Sequence, residues 1–541
     1  MPSPPPQPPL PPRLPCIGPR GHLLSESPDD ALQAVDLDIP YPIPFVGSHA
    51  ELGLDQTWMT ADGRYGPYGY GEDEPSYSRT RVDWDTVDWG ALQNQCLDRN
   101  SHRFPAGAAA FAAEPVRFAW RNRATVPPVR TWDEFRPTRR TALVVRAYDD
   151  YDYKPEDLLH LRSLIVEAGL RTGGEYVVVL LVHIRGRESN IFSSPEAYQR
   201  AFKEAKIPKE FQSIAVLWDE GLLESWYPRI AEHRVMWQAF QPVQLFALHY
   251  PEFDHYWQLE MDMRFTGDAG VYLDAMDAFS RQEPRKQAVE RTTFFYDPAT
   301  YASYAEFQAA VDVANKGSSY LWGPVSLREV PPLGPEPPTT SVADDFTWGV
   351  GEPADVVVTG LCDDAQRSTT WVFRDWFYGF TAGRSTPRFF CAPAIQRGSR
   401  ALLLTIHALQ LRRGLRIASE ATLPSFAAWM GLKLSAPPMP WYLQRADNET
   451  ERALWMRGGV AASNDGWGRS DPQWGVGELK GEPQNGNTWW WTGNWPGDMF
   501  TTWMTAGRGE DEMDPTLSQV LAMRDGEVYM PNIALHPVKN Q

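Results

Sequence analysis

The chain of 541 residues has no apolar run of 18 residues, so its sequence holds no membrane-spanning helix of ordinary length. It has only four cysteines, Cys16, Cys96, Cys362 and Cys391, and none stand at the close paired spacing of a zinc site. One or two disulfides are open to them, with the pairing undecided. No GxSxG, P-loop, HExxH or GxGxxG motif occurs in a suitable context, which removes the enzyme classes built on those motifs. Positive charge is in short supply. Fifty-one basic residues face 69 acidic ones, a net charge of -18, which argues against nucleic acid or an anionic membrane as the main partner. A local basic pocket for a phosphorylated ligand remains compatible with that balance. The N-terminal MPSPPPQPPLPPRLP lacks the apolar core of a signal peptide, so the expectation is a cytosolic protein or a start that omits a targeting segment. No internal repeats are detected.

What is present is a globular composition, 43% hydrophobic and 22% charged, with 23 tryptophans. Residues 1–15 predict a Pro-rich, polyproline II or flexible tail. Residues 16–130 are turn-rich but crowded with aromatics, and predict an ordered arm wrapped over the main body, ending in a linker with a short helix. An α/β body is predicted over 131–440. TALVVRAY at 141–148 and EYVVVLLVHI at 175–184 are buried-strand runs, with a helix predicted between them at 155–170. Strand, helix and strand in that span make a βαβ unit, hence parallel neighbours. A third strand is expected at 213–218 and another at 355–361. Helices are expected at 195–205, over most of 230–249, and at 270–282, 399–413 and 423–433. Residues 441–541 predict an irregular, Trp-rich segment packed on the body.

The most informative stretch is 255–268, HYWQLEMDMRFTGD. Its alternation puts Trp257, Leu259, Met261, Met263 and Phe265 on one side and Tyr256, Gln258, Glu260, Asp262 and Arg264 on the other, as in a strand with one face on a core and one on a polar space. Glu260 and Asp262 then project together, about 7 Å apart. Two carboxylates so placed suit one hard divalent cation. The same pattern also suits a plain amphipathic strand whose acids are solvated or paired with Arg264.

Other candidates lie at predicted strand ends, where open α/β sheets bind ligands. Arg146 with Asp149 and Asp150 would meet a diphosphate and a ribose or base, or form a solvated loop. Asp363 and Asp364 would serve as a general base, or cap a turn. Glu420, beside Ser419, is a further acid–base candidate, or a helix cap. His407 falls on an apolar helix stripe with Leu404 and Leu411, the place of a core histidine; as a neutral imidazole it would instead complete a metal site with Glu260 and Asp262. The tryptophans at 489–491 would stack sugar rings or fill a tail-to-core interface. Asn448-Glu449-Thr450 is a glycosylation acceptor if the chain enters the secretory pathway.

CIGPRGHLLSESPDDALQ, YPIPFVGSH, LGLDQTWMTADGRYGPYGYGEDE, VDWDTVDWGALQNQCLDRN and HYWQLEMDMRFTGD resemble the fungal domain-of-unknown-function 3405 family, from Cys16 to near the C-terminus. YWQLEMDMRFTGD also resembles, over a dozen residues, the Tyr-Trp-Arg-x-Glu-Pro-x-Val-x-Phe stretch of fungal α-1,2-mannosyltransferases of GT-A fold. Met261 stands where that family has Pro. That second resemblance implies Glu260 as a manganese ligand, a nucleotide diphosphate sugar as donor, a glycan or other hydroxyl acceptor, and a secretory, Golgi-lumen setting. The expectation is therefore a GT-A-like, mainly parallel sheet and a metal-dependent glycosyltransferase. A non-catalytic carbohydrate-binding or scaffold protein, or a metal-dependent hydrolase using the same acids, are the alternatives.

Overall fold

TALVVRAY forms β1, Thr141–Tyr148, and the β-branched run after Glu175 forms β2, Tyr176–Ile184. They pair in parallel from Thr141 opposite Tyr176 to Tyr148 opposite His183, as the βαβ reading predicts. The crossover is the helix α1, Pro155–Leu164, which continues as a π-type turn over Ile165–Leu170. Proline at its first turn and Glu156 and Asp157 beside its positive end favour that start. The structure is a computed structural model and describes residues 10–105, 118–122, 137–186, 189–294, 296–366, 371–444, 486–490, 493–505 and 516–539. The residues at 448–450 and Trp491 lie outside this set.

Five further strands complete the central sheet: β3 Ala215–Asp219, β4 His255–Glu260, β5 Val356–Val358, β6 Gln396–Ser399 and β7 Leu434–Ser435. Their order is β7-β5-β6-β4-β1-β2-β3. All pairings are parallel except the two made by β6, which runs against β4 and β5. The chain thus builds outward from β1 to β3, then returns to place β4 on the other side of β1. That reversal opens a crevice at the carboxyl ends of β1 and β4.

The alternation in 255–268 is realised differently from the expectation. Trp257, Leu259, Met261, Met263 and Phe265 are all buried, but so are Tyr256, Gln258 and Arg264 on the opposite side. A mainly parallel sheet is covered on both faces, so a central strand has no wet face. The strand also stops at Glu260; Met261 and Asp262 form a turn, and Arg264–Phe265 pairs separately with Ala534–Leu535. Arg264 is fully buried against Asp157, not paired with Glu260 or Asp262.

The arm is ordered where it is described. Trp58, Tyr65, Tyr68, Trp84 and Trp89 are buried, and Tyr65, Tyr68 and Trp89 join the same apolar cluster as β1 and β2. Cys16 is bonded to Cys96, and Cys362 to Cys391. The C-terminal residues pack on the body too: Trp489 and Trp490 are buried, so they do not present faces to a sugar. Among the described residues no helix is long and apolar enough to cross a membrane.

Candidate functional site

Arg146 and Glu260 are direct neighbours in the register of β1 and β4. Their side chains meet in an ion pair at the carboxyl edge of the sheet. Asp262, in the turn that follows, is drawn beside Glu260 by a residue from the far end of the chain. Ala534–Leu535 pairs with Arg264–Phe265, and the next residue, His536, enters the crevice. Its Nε2 lies 3.3 Å from Glu260 Oε2 and 3.3 Å from Asp262 Oδ1. Its Nδ1–H donates to the Trp490 carbonyl, which orients the ring. The strap is held further by Val538, whose N–H donates to the Asp262 carbonyl at 2.6 Å.

Burial works against charge on both acids, but the Arg146 guanidinium and the His536 ring outweigh it at Glu260, and His536 does so at Asp262. Both carboxyls are held below their ordinary values. Burial opposes a charge on His536 too, yet hydrogen bonds and charges from Asp262 and Glu260 raise it to about 9. The cluster is therefore two carboxylates against a guanidinium and an imidazolium. The chain's own cations, Arg146 and His536, offset the repulsion between the two acids.

Three of these groups border a cavity of about 740 Å³, with His536 buried behind the acids. Arg146, Glu260 and Asp262 line it, with Val538 and Lys539 from the strap. Lys154, His183, Arg185 and Trp218 line it as well. The His183 ring lies parallel to Trp218, 4.0 Å away, and burial lowers its pKa to about 4, so it is neutral. His183 was visible in sequence as the one polar residue in the apolar run at 177–184.

The other sequence candidates are dispersed. Asp149 and Asp150 do not line this cavity; they pair with Arg185 at its border and help line a smaller one of about 240 Å³. Asp363 and Asp364 are buried, and each accepts a nearby backbone N–H, at 2.7 Å from Asp364 and from Gln366, as turn caps do. His407 does not reach Glu260 and Asp262. It sits in the core with Nδ1 2.9 Å from the Tyr227 hydroxyl and its ring against Trp226, and burial lowers its pKa to about 3. The third group is His536 instead: one ligand atom from each of Glu260, Asp262 and His536 lies within 4.8 Å of the others. Its sequence signal was thin: a lone histidine, the last of ten, after the short apolar run at 533–535.

Glu420 is closer to the site. It lies in the first turn of the helix Ser419–Met430, and its Oε2 accepts the Trp371 indole N–H at 2.5 Å. Gln396, at the start of β6, donates its side-chain amide to the Glu420 carbonyl at 3.5 Å, which ties this residue to the central sheet. Burial raises its carboxyl to about 7, and the charge on Glu260 adds to the rise.

A family model described as "Protein of unknown function (DUF3405)" matches residues 59–540. The chain belongs to this family. Every residue of the DUF3405 site, from Arg146 to His536, falls inside the matched span. No curated protein matches the chain significantly.

Proposed function

We propose that this member of the DUF3405 family is a metal-dependent glycosyltransferase with a GT-A-like fold and a nucleotide diphosphate sugar donor. The observation that carries the proposal is the meeting of Glu260, Asp262 and Arg146 on one cavity, with His536 buried against both acids, at the point where the strand order reverses. Two carboxylates and an imidazole are a donor set suited to manganese or a similar divalent ion once the imidazolium proton has left. Bound there, the ion supplies positive charge against a departing diphosphate. Arg146 lies where it can bind phosphate oxygens, and the His183–Trp218 side of the cavity offers flat rings to a nucleoside. Glu420 takes the part of general base. As the acceptor oxygen bonds to the anomeric carbon, its proton passes to Glu420, and the bond to the diphosphate breaks with its electron pair on the leaving group.

Calorimetry with manganese and a panel of nucleoside diphosphates tests this. The parent should bind both together, and Glu260→Ala or Asp262→Ala should weaken the pair about 100-fold or more, as expected for losing a ligand. A parent that binds neither sinks the transferase reading. The self-neutralised charges favour one specific rival, a non-catalytic protein in which Arg146, Glu260, Asp262 and His536 form an ion-pair latch for the C-terminal strap. In that case both substitutions lower thermal stability and manganese has no effect on any variant.

A further inference from the structure

Beside Glu420 lies an aromatic surface that the donor cavity does not use. The short helix Val235–Gln238 contributes Val235 to the cavity and carries Trp237 next to it. Trp237 lies nearly parallel to Trp376, with centroids 4.7 Å apart, and edge-on to Phe373. Arg416 spans the next two rings, 5.1 Å from the centroid of Trp376 and 5.3 Å from that of Tyr378. This surface is fixed to the start of the Glu420 helix. Ser419 Oγ accepts the Ala239 N–H at 2.9 Å and donates to the Met236 carbonyl at 3.1 Å, while the Ala418 N–H donates to the Trp376 carbonyl at 3.1 Å.

Two features mark it as a surface with an occupant. Tyr378 is 62% exposed, and Met236 and Val372, the chain neighbours of Trp237 and Phe373, are 60% and 81% exposed, so large apolar groups meet water on and next to these half-buried rings. Arg416 makes no side-chain hydrogen bond or ion pair among the described residues; its planar fork of donors is held between rings and left open to a ligand. An exposed tyrosine ring with a guanidinium beside it, close to the start of the Glu420 helix, matches a pyranose, which has an apolar face of C–H groups and a rim of hydroxyls.

We propose that Trp237, Trp376, Tyr378 and Arg416 bind pyranose rings of an oligosaccharide, which leads its terminal hydroxyl toward Glu420. Its role as acceptor rests on the transferase reading; the saccharide binding does not. The test is calorimetry on the full chain with mannotetraose, cellotetraose and chitotetraose, without metal or nucleotide. At least one should bind the parent, and Tyr378→Ala, Trp376→Ala and Arg416→Ala should each weaken it about tenfold. Tyr378 and Arg416 are not core residues, so their variants keep the test open if Trp376→Ala fails to fold. Glu260→Ala, placed in the donor site, should bind the saccharide as the parent does. A saccharide that binds while manganese and nucleotide do not leaves this surface standing and removes the transferase. The proposal is overturned if no tetrasaccharide binds the parent, or if one binds all three surface variants unchanged. Concentration-dependent self-association that Tyr378→Ala abolishes, with no saccharide bound, would make the surface a protein contact instead.

Discussion

Burial moves Glu420 and His407 in opposite directions, each toward its uncharged form. It pushes Glu420 up to about 7, where a carboxylate both accepts and keeps a proton at neutral pH. It pushes His407 down to about 3, so this imidazole stays neutral in the core. A base works when deprotonated, so transfer activity should rise with pH through about 7, and Glu420→Gln should remove that limb while lowering kcat by about 100-fold or more. The measurement is kcat against pH at saturating donor. His407→Gln, by contrast, should leave manganese binding unchanged in calorimetry. Glu290 is a third case. It is fully buried, and burial raises it from 4.5 to about 7, with only part of that offset by the Tyr320 N–H it accepts. A carboxyl raised on folding stabilises fully below its unfolded pKa, and that contribution is lost as pH rises through the folded one. Stability from this group should therefore fall between about pH 4.5 and 7, by roughly 3 kcal/mol, and Glu290→Gln should flatten that part of the profile in denaturant titrations.

Elements decide where His536 stands. The pairing of Arg264–Phe265 with Ala534–Leu535 has only two residues on each side, so it leans on side chains for its register. Thr266 is the main one: its hydroxyl donates to the Pro531 carbonyl at 2.6 Å or the Ile533 carbonyl at 3.0 Å and accepts the Ile533 N–H at 2.9 Å, all in a buried setting. Thr266→Val keeps the shape and removes those bonds. It should cost about 2 kcal/mol by chemical denaturation. Because His536 follows three residues after Ile533, the same variant should also weaken manganese binding; an affinity equal to the parent's would show that the strap is not what positions the imidazole.

At the scale of the whole molecule, the arm and the body are one folding problem. Trp89 and Tyr65 are fully buried in the cluster that also holds Val144 and Trp503. Cys16 and Cys96 close a loop of 80 residues within the arm, which restrains the unfolded chain. Replacing both by serine should lower stability by about 4 kcal/mol on the chain-entropy account, read as a shift of the denaturation midpoint. The arm should resist limited proteolysis in the parent and become the first segment cut in that double variant.

Much of the body was legible because local rules decide it. Apolar runs such as TALVVRAY have few alternatives to a buried strand, the crossover helix forces β1 and β2 to lie parallel, and Ser399 and Gly414 mark the limits of the helix Arg400–Arg413. Glu260, Asp262 and Arg146 could be singled out since each stands at or next to the end of an apolar strand. Sequence went too far with the period-two pattern in 255–268, because alternation cannot tell a strand with one wet face from one covered on both sides. It also set His407 against the acids, when 276 residues separate Glu260 from the histidine that reaches it. That partner, the charge balance it brings, and the place of Glu420 beside Glu260 depend on which distant segments pack together. Such contacts follow from the burial of whole faces and the register of short strand pairs, which no local pattern encodes.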